Sequence, residues 1–310
     1  MLLRRPNVLA AGAGAALVAF LTVGLVGVRG YVDNFLVYRG FAPPREPAFV
    51  KQPGTLEKVA VPSPALGGRQ QETYVYLPPG YSSSGSRRYP VLYLLHGFPG
   101  RPLAFITTVQ MGVLEDSLTT RHRAQPLILV MPFGSTGTFT DKEWVNGSTA
   151  GNGWGTFVTR DLVRYVDAHY RTVASSAGRG IGGLSEGGYG AINLALQHPR
   201  EYSLVESWSG YVKPDPLRSI FGAKLQLLAR NDPTVRLAHA APVLRKVGTY
   251  FWSYSGTEDH FRRQDRAFAK RLTRLHIRNR FFESFGGHNW ALWRKNAAAA
   301  YIAAAGKLRA

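Results

Sequence analysis

Short apolar runs alternate with longer amphipathic stretches from about residue 55 to the end of the chain. Two of these runs, 89–96 (YPVLYLLH) and 126–132 (PLILVMP), are almost wholly apolar, which is typical of strands buried on both faces of a parallel sheet. Similar patterns bounded by turn residues predict further strands. These lie at 56–61, 73–77, 202–208, 249–255 and 279–284, and in a run that opens at Gly178.

Helical periodicity fills most of the segments between these strands. The predicted helices lie at 103–118, 156–170, 191–196 and within 260–280, in a segment at 215–247 interrupted at Asp232-Pro233 and Pro242, and in an Ala-rich stretch from Trp290 onward. Alternating strands and helices predict an α/β fold with a mainly parallel sheet and helices on both faces. The stretch 133–155 has no such pattern and is predicted to be a long binding loop or lid.

The first 54 residues predict a membrane anchor and a linker. Arg4 and Arg5 precede an uncharged stretch, 7–28, that would span roughly 33 Å as a helix. Because no convincing A-x-A cleavage site follows, an uncleaved signal anchor over residues 1–30 is favoured over a cleaved secretory signal. Residues 31–54 carry aromatic residues and prolines, as expected of a juxtamembrane linker. One domain is then expected at 55–310.

These features predict where the protein is found. The positive-inside tendency keeps the amino terminus in the cytoplasm and directs the rest of the chain outward. We therefore expect a membrane-anchored protein on the extracytoplasmic face, or a secreted one if the amino-terminal segment is cleaved. Nucleic acid is not an expected partner there. The chain has no cysteine, which excludes disulfides, thiolate metal sites and a cysteine nucleophile.

The net charge is +19, and basic residues are densest in 260–280. One helical face of this block carries Phe261, Phe268, Leu272 and Leu275, so one interpretation is an amphipathic surface helix with a solvated basic side. The other is attraction to anionic lipid headgroups or envelope polymers. The basic residues are Arg262, Arg263, Arg266, Lys270, Arg271, Arg274, Arg278 and Arg280.

The richest motif is GIGGLSEGGYG at 180–190, which places Ser185 between pairs of glycines. A strand precedes this serine and a helix follows it, which is the pattern of a nucleophile elbow, G-x-S-x-G. Glycines there allow strand and helix to approach closely around a strained serine. A glycine-rich turn without chemistry is the alternative, because the motif alone is short.

Two later loops supply partners for this serine. An acid in the pair Glu258-Asp259 follows one predicted strand, and His288 follows the last one, flanked by Gly286-Gly287. The order Ser, Asp or Glu, His is that of α/β hydrolases. His288 would act as the base, and Asp259, preferred over Glu258, would orient it. His260 adjoins Asp259 but is interpreted as a helix-start residue.

The remaining candidates surround this triad. The backbone amides of Phe98 and Glu186 are predicted to form the oxyanion hole. The side chain of Glu186 would point to solvent or select a cationic group of the substrate. Trp144, Trp154 and Trp290 would contact an acyl chain or sugar ring, or else pin the loops in place. No cluster of His, Asp and Glu has the spacing of a metal site, so no metal is expected.

Several ordered motifs together resemble the esterase D and mycolyltransferase (antigen-85-type) group of α/β hydrolases over about 56–300. They are YLLHGF at 93–98, VMP at 130–132, WGTF at 154–157, GLSEGG at 183–188 and GHNW at 287–290. The resemblance implies an α/β-hydrolase fold, a Ser-acid-His triad, no cofactor, and attack on carboxylic esters. In mycolyltransferases the acyl group passes to a sugar instead of water.

Three functions follow as hypotheses. The first is a membrane-anchored, extracytoplasmic serine esterase that hydrolyses carboxylic esters through Ser185, His288 and Asp259. The second is an acyltransferase that acts on a glycan or lipid of the cell envelope. The third is a non-catalytic envelope-binding protein on a hydrolase scaffold. The ester substrate, whether lipid or glycan, is the expected partner in the first two.

Overall fold

One eight-stranded sheet organises the residues that the computed structural model describes, 45–137 and 139–310. The strands are β1 (Thr55–Ser63), β2 (Arg69–Leu77), β3 (Val91–Leu95), β4 (Ile128–Pro132), β5 (Arg179–Leu184), β6 (Leu204–Trp208), β7 (Tyr250–Gly256) and β8 (Asn279–Ser284). Their order across the sheet is β1-β2-β4-β3-β5-β6-β7-β8. β2 runs antiparallel to both β1 and β4, and all other neighbours are parallel. The predicted mainly parallel α/β sheet is confirmed, and β8 has the predicted bounds.

Helices connect these strands. They are α1 (Ala104–Thr107), α2 (Met111–Thr120), α3 (Trp154–Thr156), α4 (Val163–His169), α5 (Glu186–Gln197), α6 (Arg218–Phe221), α7 (Leu225–Arg230), α8 (Pro233–Val247), α9 (Arg262–Arg274) and α10 (Trp290–Lys307). A π-helical turn, Phe157–Leu162, joins α3 to α4, and 3-10 turns occupy Pro64–Leu66 and Ser176–Gly178.

Helices cover both faces of the sheet, as predicted. Ile181 and Val205 belong to the apolar core that contains Ala191 and Leu194 of α5. The neighbouring Gly180 points to the other face, where a Cβ atom would lie 3.3 Å from Leu308, just after α10. Side chains alternate across a strand, so this one-residue step reverses the face. The centre of the sheet is therefore buried on both faces, which explains the unbroken apolar runs of β3 and β4.

Two helix predictions were wrong in detail. The predicted helix at 103–118 is two helices, because Gln110 has φ of 66° and breaks the path between α1 and α2. Pro242 does not interrupt a helix but lies inside α8. The buried face of α8 packs into the core and includes Leu237, Ala241 and Leu244. This packing offsets the loss of the backbone hydrogen bond that the proline removes.

The predicted anchor, 1–30, and most of the predicted linker lie outside the described residues. Among residues 45–137 and 139–310, no helix has the length and apolar character needed to cross a bilayer. The end of the predicted linker packs on the domain. Val50 is buried, and the Gly54 amide donates a hydrogen bond to Asp116 Oδ2 on α2 at 3.0 Å.

Candidate active site

Ser185 occupies the sharp turn between β5 and α5. Its backbone has φ of 55° and ψ of −122°, a conformation that is costly for a residue with a side chain. The Ser185 amide donates to the carbonyl of Trp208 at the end of β6, with a distance of 3.1 Å. The turn thus presents the hydroxyl at the carboxyl edge of the sheet, where open α/β sheets bind their ligands.

The glycines of the elbow are required by close backbone contact. A Cβ atom at Gly187 would lie 1.8 Å from the carbonyl oxygen of Leu95, and one at Gly183 would lie 2.4 Å from the same atom. Real Cβ atoms do not approach so closely, so only glycine fits at these positions. The close approach brings α5 directly onto β3 and β5, and this sets the direction in which Ser185 faces.

Ser185, His288 and Asp259 form one continuous hydrogen-bonded chain. His288 Nε2 lies 2.8 Å from Ser185 Oγ, and His288 Nδ1 lies 2.8 Å from Asp259 Oδ2. A carboxylate only accepts, so Nδ1 carries the proton and Nε2 is left to accept from the serine hydroxyl. The loops after β5, β7 and β8 therefore bring together the three side chains that the sequence singled out.

Asp259 is buried and accepts hydrogen bonds from a backbone amide as well as from His288. Burial disfavours its charged form, but hydrogen bonds from His288 and from the Phe261 amide, the latter at 2.8 Å, outweigh burial and lower the pKa of Asp259 below its usual value. The alternative acid, Glu258, is exposed to solvent, and its backbone N–H donates to Gly286. His260 has a side chain 67% exposed, with Nδ1 3.7 Å from Asp259 Oδ1.

His96 organises the loop that carries the predicted oxyanion donor Phe98. Its Nδ1 donates to the Gly97 carbonyl at 2.8 Å, and its Nε2 accepts from the Gly134 amide at 3.0 Å. Because the N–H of a peptide points opposite to its carbonyl, this contact directs the Phe98 N–H away from His96. Gly97 lies against the nucleophile, since a Cβ atom there would be 2.9 Å from the Ser185 Cβ.

The prediction for the Glu186 side chain was wrong. It neither reaches solvent nor faces a substrate, because Glu186 is 4% exposed at the first turn of α5. Burial, followed by the nearby acids Asp141 and Glu143, raises the pKa of Glu186 well above its usual value. These surroundings favour the neutral form of the carboxyl, which places no negative charge beside the amide of the same residue.

Glu143 is the centre of this acidic group. It is fully buried, and its Oε1 accepts from the Tyr211 hydroxyl at 2.8 Å and from the Asp215 amide at 3.3 Å. Burial, together with Asp141, raises its pKa to about 8. The backbone at Glu143 is also unusual, with φ of 52°. The loop at 133–153 is thus folded inward onto the back of the elbow.

The tryptophans proposed to line the substrate loop are part of the protein interior. Trp144 and Trp154 are 0% and 1% exposed, so they cannot contact a substrate and instead pin the loop. The Trp144 Nε1 donates to the His96 carbonyl at 3.0 Å. Trp290 is 8% exposed and packs edge-on against Trp293, with ring centroids 4.9 Å apart.

Two aromatic residues beside His288 were not anticipated. The rings of Phe261 and Trp293 both meet the imidazole edge-on, at centroid distances of 5.4 and 5.1 Å. They restrict the rotation of His288. Phe261 directly precedes α9 and Trp293 lies in the first turn of α10. Neither position gave a signal in the sequence, because an aromatic residue there is ordinary. His96 was recognised only as the end of an apolar run.

Within the described parts of the chain, no group of three or more His, Asp or Glu side chains is placed to hold a metal ion. The side chains that meet at Ser185 are a nucleophile, a base and an acid. They suit acyl transfer, in which a proton moves between the serine, the histidine and a leaving group.

Comparison with known proteins identifies the family of the chain. A family model described as putative esterase matches residues 63–304. Esterase Rv1288 of Mycobacterium tuberculosis is 36% identical over 149 residues, 48% of this chain and 30% of that protein. The chain thus spans less than a third of that relative. The diacylglycerol acyltransferase/mycolyltransferase Ag85A of Mycobacterium leprae is 27% identical over 272 residues, 79% of this chain and 74% of that protein.

Solved structures share the fold. A ferulic acid esterase superposes with a TM-score of 0.70 at 20% identity, covering 83% of this chain and all of its own. MPT51 of Mycobacterium tuberculosis superposes with a TM-score of 0.63 at 21% identity, covering 82% of this chain and 99% of its own. Since the family model spans most of the sequence, the chain belongs to the putative esterase family, and its sheet and helices form the α/β-hydrolase fold.

Proposed function

We propose that the protein hydrolyses carboxylic esters through a covalent acyl-serine, with Ser185 as nucleophile, His288 as general base and Asp259 as the acid that orients the imidazole. The observation that carries this proposal is the unbroken chain of hydrogen bonds from Asp259 through His288 to Ser185, with both links at 2.8 Å. A serine hydroxyl alone is a weak nucleophile, and this arrangement supplies the base that activates it.

The reaction takes place in two halves. His288 Nε2 accepts the proton of Ser185 as Oγ attacks the ester carbonyl, and the imidazolium then gives that proton to the leaving alkoxide. Asp259 stabilises the imidazolium and remains ionised, which its lowered pKa favours. In the second half, water replaces the alcohol, His288 takes its proton, and Ser185 is regenerated as the acid leaves.

The amides of Phe98 and Glu186 are proposed to hold the oxyanion. Phe98 follows Gly97, which lies against Ser185, and Glu186 begins α5 directly after the nucleophile. The amino end of a helix carries a partial positive charge, which favours an oxyanion there. Burial of a neutral Glu186 carboxyl keeps this end free of an opposing charge.

Replacing Ser185 by alanine tests the proposal. We expect turnover of a short p-nitrophenyl ester to fall by about 10⁴-fold or more, and a fluorophosphonate probe to label the wild-type protein at Ser185 but not the variant. A protein with Ser185→Ala that retains full turnover would remove the mechanism and leave a non-catalytic binding role as the better hypothesis.

Acyl transfer to an envelope glycan or lipid is a second candidate function. The named activity of Ag85A, and its 27% identity over 79% of this chain, favour it. The chemistry at Ser185 is the same, and only the acceptor in the second half-reaction differs. Purified protein incubated with a p-nitrophenyl ester and trehalose or glucose distinguishes the two, because only a transferase yields acylated sugar in excess of free acid.

We also propose that residues 1–30 anchor the protein with its catalytic domain outside the cytoplasm. The uncharged stretch 7–28 supports this. Attraction of the basic block to anionic lipid is a weaker proposal, because Arg262 and Arg266 pair with Glu283, and Arg271 donates to the Thr234 carbonyl. Protease treatment of intact cells, with membrane fractionation, tests the location: protection of the catalytic domain would contradict it.

A further inference from the structure

The most exposed large apolar side chains among the described residues are Phe139, Leu225 and Phe285. They are 81%, 79% and 76% exposed, and the next such side chain, Val235, is 51% exposed. Single exposed apolar residues are common and need no explanation. The position of these three side chains does need an explanation, because all three lie in connections that follow the carboxyl ends of strands.

These connections leave the same edge of the sheet as Ser185, because β4, β6 and β8 run in the same direction as β5. Phe139 follows β4, Leu225 begins α7 after β6, and Phe285 directly follows β8. Phe285 is three residues before His288, so their Cα atoms lie within about 10 Å. A fourth apolar side chain, that of Phe98, is 40% exposed and adjoins Gly97, which packs on Ser185.

The connections after β4 and β6 also contact each other. The Ser148 amide donates to the Ile220 carbonyl at 2.7 Å, and Lys224 Nζ donates to the Ser148 carbonyl at 3.5 Å. Leu225 is thus held next to the loop that carries Phe139. We call Phe98, Phe139, Leu225 and Phe285 the apolar rim.

Basic groups accompany the rim. Lys295 Nζ lies 6.0 Å from the centre of the Phe285 ring. Lys224 and Arg230 line an open cleft of about 500 Å³ together with Leu225. The connection 209–231 contains four basic residues and one acid; they are Lys213, Arg218, Lys224, Arg230 and Asp215. The excess of basic over acidic residues in this connection complements an anionic surface.

We propose that the apolar rim docks on an anionic lipid surface and so presents Ser185 to esters held in that surface. A small soluble ester would not cover rings that are more than three-quarters exposed, because ligand sites for such molecules are concave and enclose their ligands. A lipid surface covers such rings, and lysine and arginine beside them contact its headgroups. The docking stands on the rim alone, whereas presentation of esters rests on the proposed function.

The absence of cysteine allows a direct test in the full-length chain. Phe285→Cys and Leu225→Cys are each labelled with an environment-sensitive nitrobenzoxadiazole dye. Ile302→Cys is the matched control: Ile302 is 40% exposed and borders a cleft with Pro126, just before β4 and thus at the opposite edge of the sheet. All variants keep the amino-terminal segment, so any insertion by that segment is common to them.

Each labelled protein is reconstituted into phosphatidylcholine vesicles with or without 30% phosphatidylglycerol. We expect dyes at 285 and 225 to shift to the blue in the anionic vesicles and to be quenched by brominated acyl chains, while the dye at 302 stays in water. The same shift in both vesicle types would overturn the anionic partner. Dyes at 285 and 225 that remain unquenched in both would overturn the docking surface itself.

Turnover gives a second readout. In Phe285→Ser with Leu225→Ser, the ratio of turnover on a vesicle-borne long-chain ester to turnover on p-nitrophenyl acetate should fall about tenfold or more, because each apolar side chain lost from the interface weakens docking. Ile302→Ser should keep the wild-type ratio. An unchanged ratio in the double variant would contradict presentation by the rim. Absent turnover of p-nitrophenyl acetate by the wild type would instead refute the proposed function, and the dye results would still decide docking.

Discussion

The imidazole of His96 donates a hydrogen bond to the carbonyl of the next residue, Gly97, over 2.8 Å. The same ring accepts from the Gly134 amide, so one neutral side chain ties the loop after β3 to the loop after β4. It thereby sets the orientation of the peptide that carries the Phe98 amide.

Replacing His96 should therefore lower kcat much more than it weakens substrate binding. In His96→Leu both hydrogen bonds are lost, and we expect kcat on a p-nitrophenyl ester to fall about 10²-fold, as when one oxyanion donor is displaced, with KM changed little. His96→Asn retains a donor near the position of Nδ1 and should keep more of the activity. Equal kcat values in both variants and wild type would show that His96 does not position the donor.

Glu186 should control the alkaline side of the pH–rate profile. Burial and the neighbouring acids raise the pKa of Glu186, which displaces the ionisation of its carboxyl toward higher pH. Ionisation would place a negative charge beside the proposed oxyanion amide, and the rate should fall. The neighbouring acids whose charges oppose this ionisation are Asp141, Glu143 and Asp215.

The test is Glu186→Gln, which keeps the shape but cannot ionise. We expect kcat/KM of the variant to match the wild type at the wild-type optimum and to stay high on the alkaline limb, where the wild type declines. Glu258→Gln, at an exposed position, is the control and should follow the wild-type profile. A decline of the same size in Glu186→Gln would assign the alkaline limb to another group.

Glu206 in β6 predicts a pH dependence of stability. It is fully buried, and burial raises its pKa from 4.5 to about 8 despite the hydrogen bond from Trp208 Nε1 at 3.0 Å. Between these values the folded protein holds a proton that the unfolded chain has released. The free energy of unfolding should therefore decrease with rising pH, by up to about 1.4 kcal/mol per unit from this group, from about pH 4.5 until about pH 8.

Denaturant unfolding of Glu206→Gln at pH 5, 6.5 and 8 measures this effect. The variant has no proton to retain, so its unfolding free energy should fall less steeply with pH than that of the wild type. Glu258→Gln again serves as the surface control. Parallel curves for wild type and Glu206→Gln would mean that Glu206 does not hold a proton in the folded state.

Gly187 and Gly306 give a matched pair of glycine substitutions. A Cβ atom at Gly187 would overlap the Leu95 carbonyl, whereas one at Gly306 in α10 would meet nothing within 4 Å. We expect Gly187→Ala to lose more than about 4 kcal/mol of stability or to fail to fold, while Gly306→Ala is neutral or gains up to about 1 kcal/mol from helix propensity. Thermal unfolding compares the two variants. A Gly187→Ala protein as stable as the wild type would contradict the close contact between Gly187 and the Leu95 carbonyl.

The sequence predicted the sheet well because its strands are buried on both faces. Runs such as Val91–Leu95 and Ile128–Pro132 are buried at every position, so their apolar pattern is easy to recognise in the sequence. It also predicted which loops meet, since parallel strands bring their carboxyl ends to one edge. Asp259, His288 and Ser185 lie in hydrogen-bond contact for that reason.

Features decided by tertiary packing could not be predicted. A glutamate in the first turn of a helix is ordinarily exposed, and only the inward fold of the loop containing Glu143 buries Glu186. A proline ordinarily breaks a helix, and Pro242 is tolerated inside α8 because that helix packs into the core. Trp144 lies in a loop of polar composition, yet its indole is inside the protein because the Gly134 backbone leaves room for it, as a Cβ there would lie 2.3 Å from the ring.

The order of the sheet also bears on how the protein loses activity. His288 follows β8, which among the described residues is an outermost strand paired with β7 alone, whereas Ser185 follows β5 in the middle. Fraying of β8 costs fewer contacts than global unfolding, and edge elements open at lower free energy than a sheet centre. Partial opening at this edge would withdraw the base while the nucleophile stays in place, so on warming the enzyme would become inactive before its core melts.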